Sequence, residues 1–229
     1  MSGVFWLLAA YLLGATPTSY IAGRLGRGID LREHGSKNLG ATNVYRLLGW
    51  AYAIPVGIID VLKGVVPVLL FGRWAAGPEW LPVALGAAAV FGHIYSPYVR
   101  FKGGKGVATA AGMFLVLVPL AVVIVLPVWA LCLKLTGYVS LSSIVAAASF
   151  PLWVRLTAAN ARYAFYASLA LTALIVFTHR ANIGRLLAGT ENRFRTRNAG
   201  GRTDRRIVGP ADEPPGFLSD RPTVRPSDR

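Results

Sequence analysis

Charge is scarce in this chain, and negative charge scarcest: of 229 residues only 15% are charged, and ten acids stand against 24 bases. A water-soluble domain of this size needs about a quarter of its residues charged, so the shortage excludes an ordinary soluble globule. Cysteine is almost missing. Cys132 stands alone in an apolar run, which leaves no disulfide framework and no cysteine zinc site, and no other pattern asks for a metal or a cofactor. Hydrophobic residues, 54% of the total, are what the chain has in quantity. The formal net charge of +14 invites a nucleic-acid reading. Yet the bases gather beside hydrophobic segments and in the last fifty residues, where anionic lipid headgroups are the better-matched partner. Composition therefore predicts an all-α polytopic membrane protein, because helices satisfy their own backbone in lipid, with membrane lipids and no nucleic acid among its partners.

Apolar stretches near the roughly 20 residues that a bilayer requires run over 4–22, 47–71, 80–99, 138–156 and 162–178. The stretch 107–135 is too long for one span, and Pro119 and Pro127 interrupt it, each removing a helix hydrogen bond. Lys and Arg mark cytoplasmic loops. Arg24, Arg27, Arg32, Lys37 and Arg46 follow the first span, which places the N-terminus outside; no basic segment precedes that span, which argues against a cleaved signal peptide. Arg100, Lys102 and Lys105 come two spans later, inside again. A third group, from Arg180 through Arg185, Arg193, Arg195 and Arg197, is inside only if an even number of crossings separates it from Lys105. The stretch 107–135 must then turn back near Pro119, as two spans or a re-entrant pair. The expectation is a membrane domain over residues 1–197 with seven helical membrane segments, and a polar, Pro-rich, disordered cytosolic tail over 198–229.

Three clusters on the same face carry groups suited to phosphate. The first is the loop 30–46. Gly35 and Gly40 permit tight turns, Ser36, Asn38, Thr42 and Asn43 can donate to an anion, and Arg46 can grip one with two parallel donors. A solvated loop with a cap at Thr42 or Asn43 explains it equally well when it is taken alone. In the second, Phe101-Lys-Gly-Gly-Lys-Gly-Val-Ala-Thr109, glycines precede an apolar helix. Gly103, Gly104 and Gly106 can aim N–H groups at one anion, with Lys105 supplying full charge. It is not a Walker A loop, since Val99 and Gly106 stand where Gly and Ser or Thr are needed. The third is His179-Arg-Ala-Asn-Ile-Gly-Arg-Leu-Leu-Ala-Gly-Thr-Glu191, in which His179 and Asn182 share a helix face at i and i+3. Asp60 and Lys63 are ionisable groups within an apolar segment, which usually pair or serve a site, although Lys63 can also snorkel to the surface. Ser140, Ser142 and Ser143 are ordinary for helix packing in lipid.

These residues also resemble a known family. Gly35-Ser-Lys-Asn-Leu-Gly-Ala-Thr-Asn-Val-Tyr-Arg46, Asp60-Val-Leu-Lys-Gly-Val-Val-Pro67, Gly92-His93 with 101–109, and His179-Arg-Ala-Asn-Ile-Gly-Arg-Leu with Gly189-Thr-Glu191 are similar, in order over about residues 1–195, to the motifs of the PlsY family of bacterial acyl-phosphate:glycerol-3-phosphate acyltransferases. The resemblance implies transfer of a fatty acyl group from acyl phosphate to the 1-hydroxyl of glycerol 3-phosphate in the bacterial inner membrane, giving lysophosphatidic acid and inorganic phosphate. That is the first committed step of phospholipid synthesis. It further implies that Ser36, Arg46, Lys105, His179 and Asn182 carry the reaction, with Asn38, Thr42, Asn43, Lys63, Gly103, Gly104, Gly106, Ser143 and Glu191 contacting substrates. None of the three histidines is followed by the His-x4-Asp signature of the other glycerol-phosphate acyltransferase class, which disfavours a thioester donor. The proton has two routes: His179 as base, or a substrate phosphate oxygen. Glu191 is expected to pair with a nearby Arg. The competing expectation is a transporter of a phosphorylated metabolite, which lacks support because internal repeats are absent and Asp60 and Lys63 are the only deep charges. Nothing in the sequence fixes acyl-chain preference.

Overall fold

Every stretch expected to enter the membrane is helical, and no strand occurs among the described residues. The computed structural model describes residues 3–75 and 77–194; the expected boundary at 197 and the tail 198–229 lie outside them. In chain order the helices are α1 Gly3–Ala15, α2 Thr18–Arg27, α3 Ala41–Leu48, α4 Trp50–Val66, α5 Gly72–Ala75 and α6 Leu81–Ile94. They continue as α7 Val107–Leu117, α8 Pro119–Thr136, α9 Val139–Thr157, α10 Arg162–Thr178 and α11 Arg180–Leu187.

Length qualifies the expectation of seven segments. Gly3–Arg27, Trp50–Ala75, Pro119–Thr136 and Val139–Thr157 are each long and apolar enough to cross a membrane, and α10 with α11, bent by 57°, makes a fifth if the pair is one span. Helices α6 and α7 have 14 and 11 residues. At about 1.5 Å per residue they reach roughly 21 and 17 Å, short of the ~30 Å hydrocarbon core. Helical segments thus stand where seven were expected, while length and composition qualify four or five as full crossings.

The stretch 107–135 does turn back. The Lys105 carbonyl, just before α7, accepts the Thr178 hydroxyl at 3.3 Å, and the Gly137 carbonyl, just after α8, accepts the Phe194 amide at 2.6 Å. Both contacts lie at the end of the bundle where α10 finishes. The reversal is at Val118, which leaves helical conformation (φ −146°, ψ 66°), and Pro119 occupies the first turn of α8, where its missing N–H would have had no partner.

Two helix pairs touch backbone to backbone through reciprocal glycines. A Cβ on Gly14 of α1 would stand 2.1 Å from the Ala89 carbonyl oxygen of α6, and one on Gly92 of α6 would stand 2.1 Å from that of Tyr11. Between α4 and α7, Gly64 has 2.0 Å to the Thr109 carbonyl oxygen and Gly112 has 2.0 Å to that of Val61. Lipid gives apolar helices little reason to associate, so close backbone approach supplies the packing that holds them.

The break between α1 and α2 explains the deep charges. Pro17 interrupts the helix and strands carbonyls that water cannot reach. The Ser96 hydroxyl serves the Ala15 carbonyl and the Lys63 ammonium serves that of Thr16, both at 2.5 Å. Lys63 also donates to Asp60 at 2.7 Å and to the Thr18 hydroxyl at 3.0 Å, and Thr18 in turn donates to Asp60 at 2.6 Å. Its three donors are used and its side chain is 3% exposed. The expectation of Lys63 as a substrate ligand is therefore corrected: it neither snorkels nor faces a substrate, but repairs a broken helix.

Replacing Gly64 by Val should drive Cβ into the Thr109 carbonyl and cost about 1–3 kcal/mol, the usual penalty for overpacking. A clearly lower unfolding temperature in detergent than wild type is the expected reading.

Candidate functional site

A chain of polar side chains ties the second and third sequence clusters together. The Lys105 ammonium donates to Oδ1 of Asn182. The Asn182 Nδ2 donates to Glu191 at 2.6 Å, and the same carboxylate accepts Ser140 and Arg185, each at 2.7 Å. Glu191 thus joins α9, α11 and the segment after α11, and pairs with an Arg as expected. It contacts protein groups on both oxygens and stands behind the site. Ser140 belongs to this network although the sequence marks it only as a packing residue; its partner is 51 positions away.

Lys105 is half-buried, and burial is the chief reason its pKa falls to about 8, with Glu191 opposing the fall and Arg185 and Arg46 adding to it. Only one of its three donors is spent on Asn182. Arg46, on α3, donates to the Asn192 carbonyl at 3.3 Å, so the first loop cluster reaches the same place. Burial lowers its pKa, Glu191 raises it and Arg185 lowers it. Glu191, for its part, is held below the ordinary carboxylate range by its hydrogen bonds from Ser140, Asn182 and Arg185, which outweigh its own desolvation, the largest single influence.

His179 forms the joint between α10 and α11 and is 2% exposed. Its Nδ1 lies 2.8 Å from the Ile175 carbonyl. A carbonyl only accepts, so Nδ1 carries the hydrogen and Nε2 of the neutral ring keeps its lone pair. Burial first, and the Lys105 charge second, hold the ring's pKa down to about 4.

The first loop is built around Asn43. Its Oδ1 accepts the Ser36 amide at 2.9 Å, and its Nδ2 donates to the Leu31 and His34 carbonyls at 3.2 and 3.1 Å. With both ends of the amide committed and 1% exposure, Asn43 shapes the loop instead of binding substrate, which corrects its expected role. The Ser36 and Thr42 hydroxyls and the Asn38 amide have no hydrogen-bond partner among the described residues, and all three are half-buried.

The Gly103–Gly104 pair differs from expectation too. Their N–H groups donate to the Ile94 and His93 carbonyls, both at 3.0 Å. A Cβ on Gly103 would fall 2.0 Å from the His93 carbonyl oxygen; one on Gly104 would fall 2.2 Å from His93 Nε2 and 2.4 Å from the Leu39 carbonyl oxygen. These glycines let the loop seat on the end of α6 and let the first loop lie on top; they are not anion donors. His93, whose Nδ1 is 3.7 Å from Asp60, is thus a positioning residue beneath the loop. Gly106, by contrast, stands at φ +82° as the uncapped start of α7, where first-turn N–H groups point outward.

Directly beyond Lys105 and His179 a cavity of about 520 Å³ opens between α7, α8, α9 and α10. Val107, Ala110, Ala111 and Phe114 line it from α7, Ser143, Ala146, Ala147 and Phe150 from α9, and Ser168, Leu171, Thr172 and Ile175 from α10. Each set follows the spacing i, i+3, i+4, i+7, one helix face. Ser143 donates to the Val139 carbonyl at 2.8 Å and accepts Trp129 at 3.3 Å, so it belongs to this apolar wall and not to the polar network. The sequence hides the cavity, because small and aromatic residues at helical spacing read as ordinary packing.

The family model described as glycerol-3-phosphate acyltransferase matches residues 4–189. A glycerol-3-phosphate acyltransferase of Syntrophotalea carbinolica is 49% identical over 190 residues, covering 82% of this chain and 96% of that protein. One of Trichlorobacter lovleyi is 45% identical over 195 residues, covering 85% and 98%. Among solved structures, PlsY (YgiH), an integral membrane glycerol 3-phosphate acyltransferase, is similar in its glycerol 3-phosphate form with TM-score 0.79 and 39% identity, covering 85% of this chain and 96% of that one. Its lysophosphatidic acid form has TM-score 0.77 and 38% identity over the same shares.

The electrostatics here can be read without a substrate. Acetylation of Lys105 by acetic anhydride, followed by mass spectrometry across pH, should titrate with a midpoint near 8. Glu191→Gln should move that midpoint lower, because the carboxylate favours the ammonium; an unmoved or higher midpoint would contradict the geometry.

Proposed function

Because this chain belongs to the glycerol-3-phosphate acyltransferase family, whose activity it shares, we propose that its donor is an acyl phosphate and that the reaction takes place on the cytosolic face of the bacterial inner membrane. Attack of the 1-hydroxyl oxygen of glycerol 3-phosphate forms the ester C–O bond while the bond from the acyl carbon to phosphate breaks. The hydroxyl proton leaves with the departing inorganic phosphate, and lysophosphatidic acid, a phospholipid precursor, is the product. One observation carries this reading: Lys105, Asn182 and His179 stand at the mouth of an apolar cavity that begins at Val107 and Ile175. A molecule with an anionic head and a fatty tail fits that arrangement at both ends.

Both substrates are anions, so cationic and N–H donors must be assembled before any chemistry begins. Lys105, Arg46 and the first turn of α7 after Gly106 supply them for the acyl-phosphate head, since an uncapped helix start favours negative charge. The same groups stabilise charge as it develops on the acyl oxygen and on phosphate. The uncommitted Ser36, Asn38 and Thr42 side chains are placed to bind a phosphate in the polar half of the site. Gly103, Gly104, Lys63 and Asn43 hold the frame. Asn182 fixes Lys105 and, beside His179 at i and i+3, orients glycerol 3-phosphate. The cytosolic side follows from the Lys and Arg that mark these loops.

Of the two proton routes, the low pKa of His179 favours the substrate. A ring near 4 is a weak base at neutral pH, and general bases work best with a pKa near the operating pH. His179 Nε2 then accepts a hydrogen bond from the hydroxyl and aims it, while proximity supplies much of the rate.

Radiolabelled glycerol 3-phosphate given with acyl phosphate to purified protein should yield labelled lysophosphatidic acid, and its absence from well-folded protein would remove the reading. Lys105→Ala and Arg46→Ala should nearly abolish turnover. His179→Ala should cost less than about a hundredfold in kcat, the lower edge of what a general base contributes; a loss near ten-thousandfold would restore His179 as base. Lys105 must be charged to hold an anion, so kcat/KM should fall about tenfold per pH unit above about 8. Lys105→Arg should lose that fall.

A further inference from the structure

The apolar cavity has a closed end. Helix α9 packs on α8 and α10, and α7 packs on the same two, while α7 and α9 face each other across the gap. Near the polar network that gap is lined by Ala110, Ala111, Ala146 and Ala147 and stays open. At its far end the rings of Phe114 and Phe150 meet, centroids 4.7 Å apart, and bridge it; both rings are buried, at 4% and 7% exposure. From Val107 to Phe114, and again from Ser143 to Phe150, helix rise gives about 10 Å of depth. That is room for roughly eight carbons of an extended chain built from bonds of about 1.5 Å in zigzag. The α8 wall is lower: Leu126, which also lines the cavity, is 52% exposed and leaves a side opening toward lipid.

We propose that the Phe114–Phe150 pair is the stop that sets how much of the acyl chain this enzyme grips. About eight carbons lie straight between the polar network and the rings, and any longer chain leaves sideways past Leu126. This rests on the reading of the substrate as a fatty acyl donor. Lipid is as apolar as the cavity, so carbons that have left gain nothing by their burial. Selection comes from the fit of those inside, where one methylene too many in a closed pocket costs on the order of tenfold. Ala147 stands midway along the open part, one turn before Phe150, so a larger side chain there moves the stop toward the polar end.

The test is a competition. Octanoyl, dodecanoyl and hexadecanoyl phosphate are supplied in equal amounts in mixed micelles with glycerol 3-phosphate, and the chain lengths in the lysophosphatidic acid product are read by mass spectrometry. The product ratio is internal to each reaction, so it does not depend on how much enzyme folds. Ala147→Leu should lower the ratio of hexadecanoyl to octanoyl product about tenfold, and Phe150→Ala should raise it by a similar factor. Phe114→Leu, which trims one ring and is gentler on packing, should raise it less. Wild-type ratios in the product of all three variants would overturn the stop. No product from wild type with any of the donors would instead remove the acyl-phosphate reading and leave the cavity without its occupant.

Discussion

The Asn182 side chain faces a cation on one side and an anion on the other, and only an amide suits both at once. A carboxylate there would repel Glu191; an ammonium would repel Lys105. Because the link is neutral, Glu191 supports the Lys105 charge from a distance and does not neutralise it. The ammonium keeps two donors for an outside anion. The same amide fixes the start of α7 against α11, and Glu191 extends the hold to α9 through Ser140. The cationic face of the site and the mouth of the apolar cavity are therefore one rigid piece of construction.

Beneath it lies a second requirement, the satisfaction of backbone groups where water is absent. Helices α1 and α2 break at Pro17, α7 and α8 at Val118, and α10 and α11 at His179, and each break exposes carbonyls or N–H groups. At Pro17 these are met by Lys63 and Ser96. At His179 the ring itself returns a donor to Ile175, so the residue that aims the hydroxyl also closes its own helix. Close glycine contacts then hold α4 against α7, the helix whose first turn faces the anion.

Much of this was legible in the sequence, for a definite reason. In an apolar chain every charge is conspicuous, so Arg46, Lys105 and the segment 179–191 stood out, and counting basic loops gave the reversal near Pro119. What the sequence withheld was direction. Lys63, Asn43, Gly103 and Gly104 look like ligands because their chemistry suits anions, but hydrogen bonding to residues as far as 47 positions away turns Lys63 inward, and the other three are spent on neighbouring carbonyls and amides. The cavity was hidden for the opposite reason: alanines and phenylalanines at helical spacing describe a filled core and a hollow one equally well, and only the separation of α7 from α9 distinguishes them.

The break at Pro17 couples two positions that are remote in the chain. While Pro17 interrupts the helix, Lys63 has a carbonyl to serve and a reason to be charged in lipid. If Pro17 became a residue that let α1 continue into α2, the carbonyl would be served within the helix and the buried ammonium would become a burden. Either residue alone is therefore hard to change, whereas both together can be exchanged for an unbroken helix and an apolar side chain. The two sites form an epistatic pair, and a lineage can leave this architecture only by a double step or through a weakened intermediate.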